Sequence, residues 1–381
     1  MANIALQNIA HSYKPDPKGP EDYALKRIDT VWEDGGAYAL LGPSGCGKTT
    51  LLNIISGLLT PSEGRVRYND GDVTGLPPEK RNIAQVFQFP VLYDTMTVFE
   101  NLAFPLKNRK VQRSVIEERV LEVAEMLDLT PFLKKKAAGL AADAKQKISL
   151  GRGLVRSDVA AILFDEPLTV IDPHLKWQLR RKLKEIHERY GLTLIYVTHD
   201  QVEAMTFADK VVVMYEGEIV QIGTPQELFE NPMHTFVGYF IGSPGMNFLP
   251  CTVEGNLARI TGSDIPPGIP PGTPPRIPID QETAALAEKA EGKLELGIRP
   301  MFLEVHDKAV DGGLPVAVKG VQDQGSFKIL TLKLAEHTLR AKLAEGKTVP
   351  AEKAWVRFPQ DRIKLFAGGR LVRKGESKSD G

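Results

Sequence analysis

The feature that most constrains this chain is a glycine-rich segment that separates a strand pattern from a helix pattern. Residues 37–41 before it are all hydrophobic, and the apolar residues after it recur at helical spacing as far as Leu58. The segment consists of Gly42, Pro43, Ser44, Gly45, Cys46, Gly47, Lys48, Thr49 and Thr50. Glycines let the backbone curl so that consecutive N–H groups and the helix amino terminus point at phosphate oxygens. A chance glycine-rich turn would rarely lie between a strand and a helix, so the segment predicts a phosphate loop.

The side chains of this loop predict that the phosphates belong to a nucleoside triphosphate bound with magnesium. Lys48 would bring positive charge to the β and γ phosphates and act in catalysis, and the hydroxyl of Thr49 would be a magnesium ligand. Cys46 would contribute only its backbone. We therefore expect ATP and Mg²⁺ as cofactors, with every residue of the loop lining the nucleotide.

A second segment places two carboxylates at the end of a predicted strand. Residues 161–164 are hydrophobic without alternation, which is typical of a strand covered on both faces, and Asp165 and Glu166 follow them. Asp165 would hold magnesium and Glu166 would polarise the attacking water, so metal and nucleophile would be positioned from one strand end. Two acids after a strand are often only a solvated turn, but the phosphate loop upstream favours the catalytic interpretation.

The remainder of the chain predicts two domains. Strand and helix patterns alternate over residues 1–245, which favours an α/β domain with a mainly parallel sheet. Residues 246–381 are patterned as short strands and turns, with a proline- and glycine-rich loop at 265–278 and a disordered tail at 373–381.

The composition of the chain limits its possible binding partners and its location in the cell. Lysine plus arginine and aspartate plus glutamate both number 48, so no net field favours a nucleic-acid partner. The hydrophobic runs are far shorter than the roughly 20 residues that cross a bilayer. The first residues lack the pattern of a secretory signal, and the two cysteines lie too far apart in sequence to suggest a disulfide framework. We therefore expect a protein of the cytosol.

With these motifs in this order, the sequence resembles the ABC ATPase family over almost its whole length. Val86-Phe87-Gln88 is similar to the Q-loop of that family. The resemblance implies that Gln88 contacts magnesium and that the following residues, 89–93, report its state to a membrane subunit. Residues 168–172 are similar to the D-loop, which implies that Asp172 faces another ATPase subunit.

Two further matches concern residues that would contact the γ phosphate and the adenine base of the nucleotide. Val197-Thr198-His199-Asp200 is similar to the switch region of the family, which implies that His199 hydrogen-bonds the γ phosphate and orients water together with Glu166. Taken alone, a histidine after a strand is more often structural. Tyr13 matches the aromatic residue that stacks on adenine, although an aromatic residue on an early strand is more often part of the core.

The sequence departs from the family at the signature segment, which normally reads Leu-Ser-Gly-Gly-Gln and is here Leu140-Ala141-Ala142-Asp143-Ala144. In the family this segment closes on the γ phosphate held by the partner in a head-to-tail dimer. Ala141 offers no hydroxyl, and Asp143 would bring a carboxylate toward phosphate, where like charges about 4 Å apart repel by roughly 4 kcal/mol at an effective dielectric constant near 20. We hypothesise an asymmetric heterodimer with a second, different ABC ATPase subunit. Tolerance of the segment to substitution is the alternative.

Residues from Met246 onward resemble the OB/MOP-like β-barrel of carbohydrate-type importer ATPases. The resemblance rests on Leu296-Gly297-Ile298-Arg299-Pro300 and on Ile363-Lys364-Leu365-Phe366. It implies a regulatory domain on a peripheral subunit at the cytoplasmic face of the inner membrane. Its partners would be two transmembrane permease subunits and, indirectly, a periplasmic substrate-binding protein.

The cargo is the least constrained part of the interpretation. Residues 53–58, 82–94, the altered signature and 238–247 resemble one of the two non-identical ATPase subunits of bacterial glycerol importers, which implies glycerol. An importer of sugars, glycerol-3-phosphate or polyamines is the alternative. Soluble ABC ATPases of translation or DNA repair form another class, but they usually carry a long coiled coil or two cassettes, and neither pattern occurs here.

Overall fold

The computed structural model of the chain describes residues 2–156, 158–169, 171–262 and 274–373. The chain divides into two compact units, the first ending at Gln226 and the second beginning at Glu227. This division lies earlier in the sequence than the predicted domain boundary near residue 245. The predicted disordered tail, except Arg373, lies outside the described residues, as does most of the predicted loop 265–278.

A six-stranded, mainly parallel sheet forms the centre of the first unit, which confirms the predicted fold class. Its strands, in order across the sheet, are β10 (Glu218–Gly223), β9 (Lys210–Tyr215), β3 (Ala37–Leu41), β8 (Leu194–Thr198), β7 (Ile162–Asp165) and β6 (Ala84–Val86). Neighbouring strands are parallel except for β9 and β10. The segments that follow β3, β6, β7 and β8 therefore meet at one edge of the sheet, where ligands bind in open α/β folds.

An antiparallel sheet of four strands accompanies the central sheet in the first unit. Its strands, in order, are β2 (Leu25–Trp32), β1 (Ile4–His11), β4 (Glu63–Tyr68) and β5 (Gly71–Asp72). Side chains from both sheets and from the first helix share one hydrophobic core. Within that core the fully buried ring of Trp32 stacks on Tyr38 with 5.6 Å between ring centroids.

The helices of the first unit carry capping residues at some of their ends. They are α1 (Lys48–Ser56), α2 (Val98–Asn108), α3 (Arg113–Met126), α4 (Ala142–Leu154), α5 (Pro173–Tyr190) and α6 (Gln201–Phe207). Helix α1 ends where Gly57 adopts a φ of 84°, a left-handed conformation that glycine adopts without strain. Thr97 and Glu100 form a capping box at the start of α2. Helix α2 packs against α3 and α4, which gives a helical part distinct from the sheets.

The second unit is rich in β-structure, as predicted. One sheet has the order β13 (Arg276–Pro278), β12 (Leu257–Ile260), β11 (Asn247–Glu254), β14 (Leu294–Ile298), β20 (Lys364–Ala367) and β21 (Arg370–Leu371). The other has the order β15 (Glu304–His306), β19 (Lys353–Arg357), β16 (Leu314–Asp323), β17 (Phe327–Leu334) and β18 (His337–Ala344). Both sheets contribute to one core. The remaining helices are α7 (Pro225–Glu230), α8 (Thr235–Phe240) and α9 (Gln281–Ala287).

Arg299 explains why the chain around α7 and α8 belongs to the second unit. Its side chain is only 2% exposed and donates hydrogen bonds to the backbone oxygens of Leu228, Phe229, Gly238 and Ile241. The guanidinium also lies 4.1 Å from the centroid of the Phe229 ring. Burial lowers the pKa of Arg299 to about 10, which leaves it charged at neutral pH. One buried cation thus joins both helical segments to β14.

Two details of the second unit differ from the sequence predictions. Residues 276–278, placed in the predicted loop, pair with β12 as strand β13. Helix α9 interrupts what was predicted as strands and turns. Trp355 is half-buried, because strict alternation along β19 points its neighbours Ala354 and Val356 into the core and the indole to the other face.

Candidate active site

The backbone of the phosphate loop has the curl that its glycines predict. Gly45 and Gly47 have φ values of 81° and 100°, in the region that favours glycine. A Cβ on Gly42 would lie 2.3 Å from the backbone oxygen of Met214, and one on Gly47 would lie 2.7 Å from that of Ala24. Side chains at these positions would displace neighbouring backbone, so the cradle requires glycine. Such a cradle at the start of α1 fits a phosphate group.

Lys48 is buried at the first position of α1, where it organises the loop. Its Nζ donates to the backbone oxygens of Gly42 at 2.8 Å and Pro43 at 2.9 Å, and it lies 3.8 Å from Sγ of Cys46. Burial raises the pKa of the Cys46 thiol, which keeps it protonated and poorly nucleophilic. The amino group therefore fixes the curvature of the loop. The same amino group would also contact a phosphate bound in the loop.

Asp165 and Thr49 supply the oxygen atoms expected of a magnesium site. The Thr49 hydroxyl donates to Oδ1 of Asp165 at 3.4 Å, which joins the start of α1 to the end of β7. Burial, and secondarily the charge of Glu166, raises the pKa of Asp165. A cation bound there would relieve both effects. One carboxylate with a hydroxyl is typical of magnesium sites that are completed by phosphates and water. Within the described residues, no cluster of three or more histidine, cysteine or acidic side chains could hold a metal ion.

Glu166 is held in an uncommon backbone conformation with its carboxylate against the predicted switch histidine. Its φ is 47°, and its N–H donates to the backbone oxygen of Val197 at 3.0 Å. Nδ1 of His199 lies 3.0 Å from Oε1 of Glu166, so the imidazole donates to the carboxylate. The hydroxyl of Thr169 donates to the backbone oxygen of Glu166 at 3.1 Å. The predicted catalytic pair is therefore in direct contact at the edge of the sheet.

Tyr13 lies beside the phosphate loop and not in the core. The ring is 66% exposed, and its hydroxyl lies 3.1 Å from Oγ1 of Thr50. His11 contacts the ring edge-on, with 4.7 Å between centroids. An exposed aromatic ring anchored next to a phosphate loop is placed where a base could stack on it.

Gln88 follows β6 at the same sheet edge as Glu166 follows β7. Val86 pairs with Phe164 in parallel register. Gln88 lies two residues beyond Val86 and Glu166 lies two residues beyond Phe164, so both follow the same point of the sheet. The segment after Gln88 exposes Phe89, Val91 and Tyr93, which form an unusually apolar surface.

The degenerate signature forms the start of α4. Ala141 is the N-cap residue and provides no side-chain hydrogen bond, and Asp143 lies in the first turn. Its carboxylate is close to the positive end of the α4 dipole, which reduces the attraction of this helix end for phosphate. Asp172, predicted in the D-loop, caps α5 by accepting from the N–H of His174 at 2.9 Å. Val170 of that segment lies outside the described residues.

Sequence reasoning missed Thr169 and Gln146, whose side chains reach the backbone around Glu166. Thr169 contacts Glu166 itself, and the amide of fully buried Gln146 donates to the backbone oxygen of Pro167 at 2.6 Å. Gln146 occupies the same face of α4 as buried Leu150 and Gly153. The sequence signal that could have identified Gln146 was a long polar side chain at a helical position that faces the core.

A parallel sheet with a phosphate loop and acidic residues at one edge is the arrangement of a phosphate-loop ATPase. A family model described as ABC transporter matches residues 25–169, and one described as MalK OB fold domain matches residues 242–300. The chain is 37% identical over 371 residues to the sn-glycerol-3-phosphate import ATP-binding protein UgpC of Escherichia coli O157:H7, covering 97% of this chain and 98% of that protein. It is 40% identical over 320 residues to the protein of the same name from Ruegeria pomeroyi, covering 84% and 82%.

Solved structures agree with these relatives. The ADP conformation of MJ1267, an ATP-binding cassette of an ABC transporter, superposes with a TM-score of 0.52 at 25% identity, covering 61% of this chain and 96% of that chain. The chain therefore belongs to the ABC transporter family, among the ATP-binding proteins of importers. It is an ATPase coupled to transport, with ATP and Mg²⁺ as cofactors. Among the described residues, no helix has the length and hydrophobicity needed to span a bilayer.

Proposed function

We propose that this chain hydrolyses ATP with Glu166 as the residue that polarises water and His199 as the residue that holds Glu166 in place. The observation that carries the proposal is the 3.0 Å contact between these side chains beside the contact of Thr49 with Asp165. A carboxylate that accepts from an ordered imidazole is fixed in direction, which favours proton abstraction from a positioned water.

The other predicted site residues have supporting roles in this proposal. Lys48 and the loop N–H groups would contact the β and γ phosphates, while Thr49, Asp165 and Gln88 would hold Mg²⁺, which neutralises phosphate charge. Tyr13 would stack on the base. Because Nδ1 of His199 donates to Glu166, a neutral ring leaves Nε2 only as an acceptor. Donation from His199 to a γ phosphate would therefore require the imidazolium form.

We also propose that the catalytic unit is an asymmetric heterodimer with a second, different ABC ATPase subunit. The support is the contrast within this chain, because the phosphate loop and Glu166 have the expected geometry whereas the signature has lost its donors and gained Asp143. A partner with an ordinary signature would complete the site of this chain and leave the other site weak.

For the assembly, we propose a peripheral subunit at the cytoplasmic face of the inner membrane, bound to two permease subunits through the surface formed by Phe89, Val91 and Tyr93. Residues 1–245 would form the catalytic domain and 246–381 a regulatory barrel. A periplasmic binding protein would deliver the cargo. We propose glycerol as that cargo, and the names of the relatives support glycerol-3-phosphate as the second candidate.

Isolation of the intact complex from its native membrane tests the assembly. We expect mass spectrometry to find this chain, two permeases and one further ATPase chain that carries an intact signature. A complex with two copies of this chain and no other ATPase would refute the heterodimer. Uptake of labelled glycerol and glycerol-3-phosphate by a strain lacking this chain tests the cargo, because loss of only one uptake activity identifies it.

A further inference from the structure

Helix α4 connects the degenerate signature to the segment that follows Gln88. Lys145 forms an ion pair of 2.9 Å with Asp94. Near the other end of the helix, Arg152 donates to the backbone oxygen of Val91 at 2.5 Å and lies 5.0 Å from the centroid of the Tyr93 ring. Helix α4 is therefore joined at two points to residues 91–94, which adjoin the Gln88 loop.

Gln146 extends this connection to the catalytic carboxylate. Its side chain is fully buried, and Nε2 donates to the backbone oxygen of Pro167 at 2.6 Å and, at 3.5 Å, to that of Phe87. Pro167 follows Glu166 directly, and Phe87 precedes Gln88. Because both neighbours are acceptors, the amide orientation is determined by them. Among the described residues no donor reaches Oε1 of Gln146.

The backbone at Glu166 needs such external support. A φ of 47° is uncommon for a residue with a side chain and persists where the surroundings impose it. The N–H bond to Val197 constrains Glu166 from its amino side, and the Thr169 hydroxyl constrains its carbonyl. The bond from Gln146 constrains the next carbonyl along the chain. Gln146 is the constraint that comes from the helical part and not from β8 or from the residues directly after Glu166.

We propose that Gln146 is a positioning residue, which sets the backbone of Glu166 and of the Gln88 loop according to the position of α4. When α4 moves, one side chain shifts the residue after the catalytic carboxylate and the residue before the magnesium-contacting glutamine. The signature end of α4 thereby controls whether Glu166 is aligned for hydrolysis. This inference rests on the proposed role of Glu166.

Replacement of Gln146 in the assembled importer tests this role. Gln146→Met keeps the length of the side chain and removes both donors, whereas Gln146→Glu places a carboxylate against two carbonyl oxygens. We expect kcat for Mg-ATP to fall by about tenfold or more in Gln146→Met, as small misplacement of a reacting group does, and further in Gln146→Glu. KM should stay within about twofold, because no residue of the phosphate loop is touched. Binding of a fluorescent ATP analogue to the full-length chain should be retained.

Ile148→Val is the matched control, since Ile148 is fully buried in the same helix and reaches neither carbonyl. It should leave kcat within about twofold. An unchanged kcat in Gln146→Met, a parallel rise in KM, or an equal loss in Ile148→Val would each overturn the inference. Glu166→Gln separates the two proposals, because full activity in that variant would refute the role of Glu166. If Glu166→Gln loses activity while Gln146→Met keeps full activity, only the role of Gln146 is refuted.

Discussion

At the scale of single residues, Glu166 combines a left-handed backbone with a carboxylate that contacts His199. It is followed by Pro167, whose backbone oxygen accepts from Gln146, and its own backbone oxygen accepts from Thr169. So many contacts around one acidic residue indicate that its direction matters more than its charge alone. A carboxylate that only formed a solvated turn would need none of them.

Glu166→Gln should therefore abolish turnover while preserving nucleotide binding. We expect hydrolysis by the assembled complex to fall by about 100-fold or more, because the amide cannot accept a proton from water. ATP affinity should change little, since Lys48 and the loop are unaltered. Steady-state hydrolysis and equilibrium binding measure the two effects separately. Glu188→Gln, which removes an exposed acid on α5, should leave both unchanged, and residual turnover above one tenth of the native rate would contradict the assignment.

Arg299 is as important for the stability of the second unit as Glu166 is for the proposed catalysis. Arg299→Met keeps the packing on Phe229 but removes the guanidinium that donates to the backbone oxygens of Leu228, Phe229, Gly238 and Ile241. Gly238 keeps the N–H of Met246 as a donor. A buried polar group without its partner costs about 1–3 kcal/mol, so we expect the free energy of unfolding of the second unit to fall by at least about 2 kcal/mol. Denaturation of the full chain, followed by hydrogen exchange in residues 228–241, measures it. Arg276→Met, at an exposed arginine, should change stability by less than about 0.5 kcal/mol.

At the scale of elements, α9 was absent from the predictions although its N-cap is visible in the sequence. Asp280 accepts from the N–H of Thr283 at 2.8 Å, and hydrogen bonds from Thr283 lower the pKa of Asp280 below its ordinary value of 3.8. Seven residues, Gln281–Ala287, give little helical periodicity to detect. The tertiary contacts of Ala284 and Ala287 with the core stabilise a helix too short to be stable alone.

Removal of this cap should have a pH-dependent effect. Asp280→Ala should lower the free energy of unfolding by about 1 kcal/mol at neutral pH. Because the folded-state pKa is lowered, the stabilisation is present above pH 3.8 and is lost as the pH falls through the folded-state pKa. The difference between native and variant protein should therefore stay constant from neutral pH to about pH 3.8 and shrink at lower pH. Asp280→Asn keeps an acceptor without the charge, so its stability should show no such loss, and a difference for Asp280→Ala that stays constant at low pH would refute the explanation.

At the scale of the whole molecule, the proposed heterodimer implies that the altered signature limits which dimers can close on ATP. In a pair of identical chains, Asp143 would approach phosphate at both sites. At an effective dielectric constant near 20, like charges about 4 Å apart would repel by roughly 4 kcal/mol at each site. Self-association of this chain should therefore be weak even when ATP is bound.

Repair of the signature should create self-association. In a Glu166→Gln background, which preserves bound ATP, we expect Ala141→Ser, Ala142→Gly and Asp143→Gly together to raise the Mg-ATP-dependent dimerisation constant by about tenfold or more. Analytical ultracentrifugation with and without Mg-ATP measures the change. The same three substitutions with Lys48→Ala should have no effect. Equal dimerisation before and after repair would contradict the hypothesis that Asp143 prevents pairing.

Much of the fold followed from local patterns. Hydrophobic runs without alternation at 37–41 and 161–164 predicted buried strands, because a strand covered on both faces is typically apolar throughout. The phosphate loop was evident from its glycines between a strand pattern and a helix pattern, and the structure explains two of them, because a Cβ on Gly42 or Gly47 would strike backbone.

The sequence by itself determined the cradle, the order of the strands along the chain and the residue types at the edge of the sheet, because these depend on local spacing and side-chain chemistry. The tertiary structure alone decided that Glu166 is held with a φ of 47°, that Gln146 reaches both Pro167 and Phe87, and that Arg299 joins α7 and α8 to the barrel. The contacts of Gln146 and Arg299 each join backbone oxygens to a side chain far away in sequence. Backbone oxygens are chemically identical at every residue, so no sequence pattern marks which of them a buried donor will reach.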